Sequence, residues 1–303
     1  MTLNSIPAKQ NAEPQLQLLR AQRQLYNRAK IVMVWQLALT VAVPLVGALS
    51  TLALPDLKTL VAFAALTIAM IDVAVLDRLQ KRILLSAAKI QEQFDCNIFA
   101  LPWNKFTIGR PVTPEATYEA AATYARKNDD KLLLDWYPPI IGEVSLHLAR
   151  IICQRTNLWY DSKLRRHYGA ALLILAAVLL VVLFLIGMGG GLTLTNFVLT
   201  VMAPAAPFYG WAMREYYRQK DVADAQDRFR EEAEELWERA RTGKCGASEC
   251  EAQSREFQNA IFTRRSTSPP IFEWIYRLMR SSNEAQMNVG AEQMIQSIPA
   301  APK

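Results

Sequence analysis

Two long uncharged stretches constrain this chain more than any other feature of its sequence. Residues 31–54 carry no charged side chain, and neither do residues 168–213, which are interrupted only by the glycine-rich run 187–191. A membrane-spanning helix needs about 20 apolar residues, so the second stretch can hold two spans joined at the glycines. Residues 57–76 form a further apolar segment, which contains Asp72. The pattern predicts four transmembrane helices in two hairpins.

A cleaved secretory signal is the competing interpretation of the first apolar stretch. Such a signal has an apolar core of about 7–15 residues, which is shorter than the stretch found here. In addition, Pro55, Asp56 and Leu57 lead directly into the next apolar segment. We therefore favour a retained membrane span.

The orientation of the spans follows from the basic residues that flank them. Basic clusters precede the first and third spans and follow the second and fourth, whereas the opposite side offers only Lys58. Loops rich in Lys and Arg stay on the cytoplasmic side of a membrane. The clusters are Arg20, Arg23, Arg28, Lys30, Arg78, Lys81, Arg82, Lys163, Arg165, Arg166, Arg214, Arg218 and Lys220. We expect both termini and the central loop to be cytoplasmic.

The predicted fold class is an all-α integral membrane protein with a mostly helical cytoplasmic domain built from the central loop, two stalk helices and the C-terminal region. Apolar residues spaced by three and four follow the second and fourth spans, which predicts the amphipathic stalks. The predicted regions are an N-terminal helix (1–30), hairpin 1 (31–76), the central region with its stalk (77–167), hairpin 2 (168–213) and the second stalk with C-terminal helices and a frayed tail (214–303).

Local signals predict helix boundaries outside the spans. Thr113 followed by Pro114 is typical of a helix start. The run Trp136–Pro139 predicts an extended segment before a second helix that reaches about Asn157. A C-terminal helix is expected to begin at 268–270, and the chain beyond about Glu284 to fray.

The cysteines and histidines give little indication of metal binding or catalysis. Cys96, Cys153, Cys245 and Cys250 all lie on the side inferred to be cytoplasmic, where thiols stay reduced. Cys245 and Cys250 form a lone pair, and because a zinc site needs about four ligands, free thiols in a turn are favoured over a metal site. We find no nucleophile with an evident base and no nucleotide-binding glycine motif. An enzyme is therefore disfavoured, and we expect no catalytic residue, metal or cofactor.

Five short motifs lie in a specific order between the two predicted hairpins. They are Gln93-Phe94-Asp95, Leu101-Pro102-Trp103-Asn104, Asp135-Trp136-Tyr137-Pro138, Cys153-Gln154-Arg155-Thr156-Asn157-Leu158 and Lys163-Leu164-Arg165-Arg166. In their order and placement they resemble the SMODS-associating four-transmembrane effector family. The resemblance implies a bacterial inner-membrane effector of a cyclic-oligonucleotide anti-phage (CBASS) system, which perforates the membrane and arrests the infected cell. No catalytic residues are carried over from it.

The central region contains the residue types that a cyclic oligonucleotide requires. Flat bases stack on aromatic rings, and phosphates pair with arginine forks. The candidate ligand-binding residues are Trp103, Arg110, Trp136, Tyr137, Arg150 and Arg155. Packing in the core is the alternative for these aromatic residues, and a belt at the membrane interface explains Trp159, Tyr160, Arg165 and Arg166.

Asp72 is the candidate pore-lining residue, because an ionisable group within an apolar span is costly unless it faces water or a partner. Snorkelling to the nearby cytoplasmic interface is the alternative. Four helices enclose too little space for a wide aqueous path, so a pore predicts a homo-oligomer. The expected partners are the lipid bilayer, a cyclic oligonucleotide and further copies of the chain, with no nucleic acid polymer. A membrane-anchored scaffold that binds a protein through its cytoplasmic helices is the second functional hypothesis.

Overall fold

The computed structural model describes residues 3–39, 56, 58–191 and 193–299, and within these ranges the regular structure is helical. The α-helices are α1 (Ile6–Gln10), α2 (Glu13–Leu37), α3 (Lys58–Ile71), α4 (Asp77–Phe99), α5 (Lys105–Ile108), α6 (Pro114–Ala125), α7 (Leu146–Gly189), α8 (Leu194–Phe197), α9 (Ala203–Arg241), α10 (Ala247–Thr267) and α11 (Glu273–Gln296). A 3-10 helix covers Pro139–Glu143, and π-helical turns cover Asp72–Leu76 and Val198–Met202. The prediction of an all-helical fold is confirmed for this part of the chain.

Two of the described helical runs have the length and composition of membrane spans. They are Thr59–Phe99 and Leu146–Gly189. The first span predicted from the sequence lies partly in α2, and its residues 40–54 fall outside the described residues. The arrangement of four spans in two hairpins therefore stays a prediction.

Helix α7 is much longer than the sequence led us to expect. The predicted end near Asn157 is wrong, because the helix continues from Leu146 to Gly189. Asn157 lies inside it and donates a hydrogen bond to the hydroxyl of Tyr137 at 2.7 Å. No proline interrupts this run. The side chain of Asn157 has a distant hydrogen-bond partner, so it does not compete with the backbone hydrogen bonds and the helix continues through it.

The C-terminal region also differs from expectation. Residues 269–272 are non-helical, and α11 begins only at Glu273. The helix does not fray beyond Glu284 but continues to Gln296, because its far half buries Ala291 against the rest of the fold. Helix α10 precedes it, and no boundary signal had predicted that helix.

The helices pack around one main core below the predicted spans. Helix α7 packs along α9, α2 packs on α4 and α6, and α10 fills the space between α4 and α7. Ile90, Phe94, Ile151 and Ile152 are completely buried there. Burial of each such side chain stabilises the fold by about 1.5–3 kcal/mol.

The two predicted stalks bury their apolar stripes in the parts that lie farther from the predicted spans. On α4, Ala87, Ile90 and Phe94 are buried, whereas Leu79, nearer the predicted span, is exposed. The π-helical turn at Asp72–Leu76 joins α3 directly to α4, so the second predicted span and its stalk form one continuous helical run. Helix α9 likewise continues from the fourth predicted span into the core.

The predicted start of α6 is confirmed. The hydroxyl of Thr113 accepts a hydrogen bond from the backbone N–H of Ala116, and Pro114 is the first helical residue. This cap satisfies one of the free N–H groups at the start of the helix.

Candidate functional site

Three of the five sequence motifs meet in one buried polar cluster. The carboxylate of Asp95, which is completely buried on α4, accepts hydrogen bonds from the Tyr137 hydroxyl at 2.8 Å, from Gln258 at 3.0 Å and from Arg265 at 2.5 Å. Asn157 on α7 donates to the same Tyr137 hydroxyl. The motifs around positions 95, 137 and 157 are therefore linked through side chains. Together they join α4, α7 and α10.

A second buried carboxylate, Glu92, extends this cluster. It accepts hydrogen bonds from Arg255 at 2.6 Å and from Gln258 at 2.8 Å. Burial raises the pKa of Glu92, an effect that the nearby Arg255 only partly opposes. Burial also raises the pKa of Cys96 to about 12, so this thiol stays protonated at neutral pH. Both carboxylates are completely buried, and the cluster holds α4 to α10.

A cavity of about 580 Å³ lies beside this cluster, between α2, α4, α7, α9, α10 and α11. The basic residues in its wall are Arg23, Lys30, Lys131, Arg165, Arg265 and Arg280. The aromatic residues in its wall are Tyr26, Trp136, Tyr160 and Tyr276. Such a wall suits a ligand that has both flat rings and negative charges.

All four helices that lead into the predicted spans contribute to the cavity wall. Helix α2 provides Tyr26, α4 provides Gln91, α7 provides Tyr160 and α9 provides Gln226. One cavity therefore borders all four of these helices.

The cavity wall also contains buried polar atoms that lack a hydrogen-bond partner within the described part of the chain. These atoms are Oε1 of Gln22, Oε1 of Gln226, Oγ of Ser268 and NH1 of Arg280. Gln22 is 1% exposed, Gln226 3% and Ser268 5%. Buried polar groups are usually satisfied, so these atoms indicate a position for a polar ligand or for water.

All six cationic side chains in the wall are already paired with a carboxylate of the protein. Arg165 pairs with Asp161 at 2.8 Å, and Arg280 pairs with Glu284 at 2.5 Å. Arg265 pairs with the buried Asp95. An anionic ligand would have to add to these pairs or exchange with them.

The six ligand-binding residues predicted from the sequence do not come together in the structure. Trp136 lines the cavity, with its ring edge-to-face against Phe94 at 6.3 Å between centroids. Tyr137 lies next to it but is buried in the polar cluster, where burial raises its pKa well above the ordinary value. A ligand-binding role for all six stays a prediction, and Trp136 is the member that the geometry favours.

Trp103 and Arg110 belong to the segment between α4 and α6. The indole N–H of Trp103 donates to the carbonyl of Gly109 at 2.9 Å, and its ring packs beside Phe262. Arg110 is exposed, and its carbonyl accepts a hydrogen bond from Lys89. These contacts explain the shape of the loop by internal packing.

Arg150 and Arg155 face other parts of the fold. The guanidinium of Arg150 is buried and donates to the carbonyls of Phe99 and Ala100, where α4 ends with Ala100 in the left-handed conformation. Arg155 pairs with Glu234 of α9 at 2.8 Å. Both arginines connect helices and lie outside the cavity wall.

Asp72 is half-buried at the start of the π-helical turn that follows α3. Its carboxylate accepts a hydrogen bond from the side-chain amide of Gln36 on α2 at 2.8 Å. The residue thus has a polar partner within the same chain. Its role in lining a pore stays a prediction.

Cys245 and Cys250 are buried near the start of α10, with their sulfur atoms 2.9 Å apart. Burial raises the pKa of Cys250 to about 12. Across the described ranges of the chain, no group of three or more His, Cys, Asp or Glu side chains is arranged to hold a metal ion.

Four cavity residues had been given other roles on the basis of the sequence. Arg23 and Lys30 were counted among the charges that orient the spans, and Tyr160 and Arg165 were explained by a belt at the membrane interface. In the structure all four line the cavity. Their positions next to predicted spans account for them completely, so no feature of the sequence indicates a second role.

The fold and the cavity together define a class: a helical, membrane-associated protein with a basic and aromatic candidate site at the base of its long apolar helices. The chain belongs to the SMODS-associating 4TM effector domain family, whose model matches residues 4–294. The chain is also similar to a probable CBASS effector molecule, IK1_05631, from Bacillus cereus strain VD146. The two sequences are 24% identical over 285 residues, which cover 92% of this chain and 94% of the relative. No solved structure matches the chain.

Proposed function

We propose that this chain is a membrane effector of a bacterial cyclic-oligonucleotide anti-phage system, and that an anionic cyclic nucleotide binds in the cavity and alters the membrane spans. The family and the curated relative support an anti-phage effector role. The observation that carries the proposed mechanism is that α2, α4, α7 and α9, the helices leading into the four predicted spans, all line one cavity. A ligand shifts such an equilibrium only if it binds one helix arrangement more tightly than the other.

The cavity chemistry supports a nucleotide with more than one phosphate. Its volume of about 580 Å³ lies within the range of roughly 300–1,000 Å³ typical of small-molecule sites. Four aromatic rings offer stacking surfaces for bases, and six cationic side chains offer partners for phosphodiesters. The unpartnered oxygen atoms of Gln22 and Gln226 can accept hydrogen bonds from base amino groups.

The proposed location is the bacterial inner membrane, with four spans in two hairpins and both termini in the cytoplasm. The excess of basic residues on one side of the spans supports this orientation. It places the cavity in the cytoplasm, which is where a nucleotide messenger would be made. The two apolar runs found in the described residues support membrane association.

The proposed action is a pore or a disruption of the bilayer by several copies of the chain, without a catalytic step. One copy provides too few helices to enclose a wide aqueous path. Helix α4 exposes Leu79 and Leu85 below the predicted span, which supports a contact between stalks of neighbouring copies.

A membrane-anchored scaffold is the second candidate function. The observation that favours it is Phe106, whose side chain is 100% exposed on the short helix α5. A fully exposed aromatic ring suits contact with a protein partner.

Direct binding measurements test the proposed function. Cyclic dinucleotides and trinucleotides would be titrated into the purified protein in a mild detergent, with calorimetry as the readout. Arg280→Gln removes a cation from the cavity wall and is expected to weaken binding about 10- to 100-fold, since a charge-assisted hydrogen bond contributes about 1.5–3 kcal/mol. Arg228→Gln, which removes an exposed arginine of α9 outside the wall, is the matched control and should leave the affinity unchanged. The proposal fails if no cyclic nucleotide binds, or if both variants bind like the wild type.

A further inference from the structure

One corner of the cavity has an unusual arrangement of charges. It lies where α2 passes the first turn of α11. The carboxylate of Glu273 accepts hydrogen bonds from Arg23 at 2.9 Å, from Lys30 at 2.5 Å and from Arg277 at 3.2 Å. A single carboxylate therefore holds three cationic side chains.

This corner carries more positive charge than its own acid can neutralise. Arg23 and Lys30, which line the cavity, contribute two positive charges against the one negative charge of Glu273, which leaves an excess of one; Arg277, the third partner of Glu273, is 73% exposed and lies outside the wall. Elsewhere in the wall, Arg165 has a carboxylate of its own. An anion entering the cavity would be attracted most strongly to the corner at Glu273.

An aromatic ring and an unsatisfied donor complete the corner. The guanidinium of Arg23 lies 4.4 Å from the centroid of the Tyr276 ring, the ammonium of Lys30 5.4 Å and the guanidinium of Arg280 6.0 Å. The NH1 atom of Arg280 is buried without a hydrogen-bond partner in the described part of the chain. Burial lowers the pKa of Lys30 even though Glu273 is in contact with it. The carboxylate of Glu273 therefore offsets only part of the cost of burying the charged ammonium of Lys30.

We propose that this corner is the phosphate subsite of the cavity, and that Glu273 occupies it in the ligand-free protein until a phosphodiester displaces it from Arg23 and Lys30. The inference rests on the proposed function, because it assigns part of the same site. The two non-bridging oxygens of a phosphodiester present the same pair of acceptors as the two carboxylate oxygens. The observed affinity is then the intrinsic affinity reduced by the competition from Glu273.

The same phosphodiester chemistry is present in phospholipid headgroups. Lys30 directly precedes the first predicted span, so a headgroup could reach the corner from the membrane surface. The experiment must therefore separate a soluble phosphodiester from a lipid.

Replacing Glu273 gives a test in which the direction of the change in affinity is defined. Glu273→Gln keeps the shape of the side chain but removes its charge, so we expect inorganic pyrophosphate and cyclic dinucleotides to bind about ten-fold more tightly. Lys30→Gln in the same background should abolish the gain. Glu292→Gln makes the same charge change at an exposed position of α11 outside the cavity and should leave binding unchanged. Glu273→Asp, which keeps the charge, should show no gain of that size, and a thermal unfolding scan shows that each variant is folded.

The outcomes separate this inference from the proposed function. If Glu273→Gln binds pyrophosphate no better, or worse, while cyclic dinucleotides still bind the wild type, then Glu273 orients the cations and the inference is overturned, but the proposed function stands. If pyrophosphate binds the variant more tightly and no cyclic nucleotide binds any form, then the subsite stands and the proposed function fails. If binding is seen in detergent but is lost in phosphatidylglycerol nanodiscs, then a headgroup fills the corner and a soluble ligand is excluded.

Discussion

Removal of the carboxylate of Asp95 should be among the most destabilising single changes in the main helical core of this protein. Asp95→Asn keeps an acceptor for Tyr137 but turns an amide toward Gln258 and Arg265, both of which are donors. Each lost hydrogen bond to a charged group costs about 1.5–3 kcal/mol. The expected total is about 3–5 kcal/mol, the range found when one partner of a buried ion pair is removed.

Thermal unfolding in detergent, followed by tryptophan fluorescence, measures this effect. A loss of about 3–5 kcal/mol corresponds to a decrease in Tm of roughly 6–20 °C, at about 2–4 °C per kcal/mol. Asp77→Asn breaks the exposed pair with Lys81 and serves as the control, since exposed pairs contribute only about 0.2–1 kcal/mol. In the double variant Asp95→Asn/Arg265→Gln the two effects should not add, with a coupling of about 1–3 kcal/mol. Additive effects, or a change in Tm as small as that of the control, would refute the structural role given to Asp95.

Four further outcomes are expected. Trp136→Ala should weaken nucleotide binding by about 1–3 kcal/mol, the contribution of one stacked base, as measured by calorimetry. Burial lowers the pKa of Lys30 from its ordinary value of 10.5, and only the protonated side chain holds a phosphate. The affinity for the nucleotide should therefore be constant near neutral pH and fall as the pH rises through that lowered pKa. The Lys30→Arg variant should bind independently of pH up to about pH 10. Arg155→Ala should change affinity by less than about two-fold, because Arg155 pairs with Glu234 outside the cavity; a large loss would instead support its sequence-based role. Asp72→Asn should leave ligand binding intact and alter the rate of dye leakage from liposomes, and equal leakage rates would remove Asp72 from the pore hypothesis.

Local features of the fold could be predicted because their causes are local. The Thr113–Pro114 cap and the buried stripe of α4 depend on residues that are close in sequence. The extent of α7 could not be predicted from a turn-forming residue, because Asn157 is satisfied by Tyr137, which lies outside that helix. The second half of α11 is held by packing against other helices, which its polar composition does not indicate.

The candidate site was only partly accessible from the sequence. Trp136 lines the cavity, but all six residues proposed from the sequence come from one region of the chain, whereas the cavity wall comes from six helices. Lys30 and Tyr276 are separated by 246 positions in the sequence and meet only through the packing of α2 against α11. The basic residues of α2 also satisfy the orientation rule for membrane spans, so their excess charge gave no separate signal.

We propose that a ligand bound in the cavity opens a path through the membrane. It is tested most directly by the release of a trapped dye from liposomes that hold the purified protein, with and without cyclic dinucleotides and trinucleotides. We expect one of these nucleotides to release the dye from liposomes that contain the wild type. At the same nucleotide concentration, liposomes with the Arg280→Gln variant should retain their dye. The claim would be contradicted if the dye is retained while a nucleotide is shown to be bound, or if its release does not depend on any nucleotide.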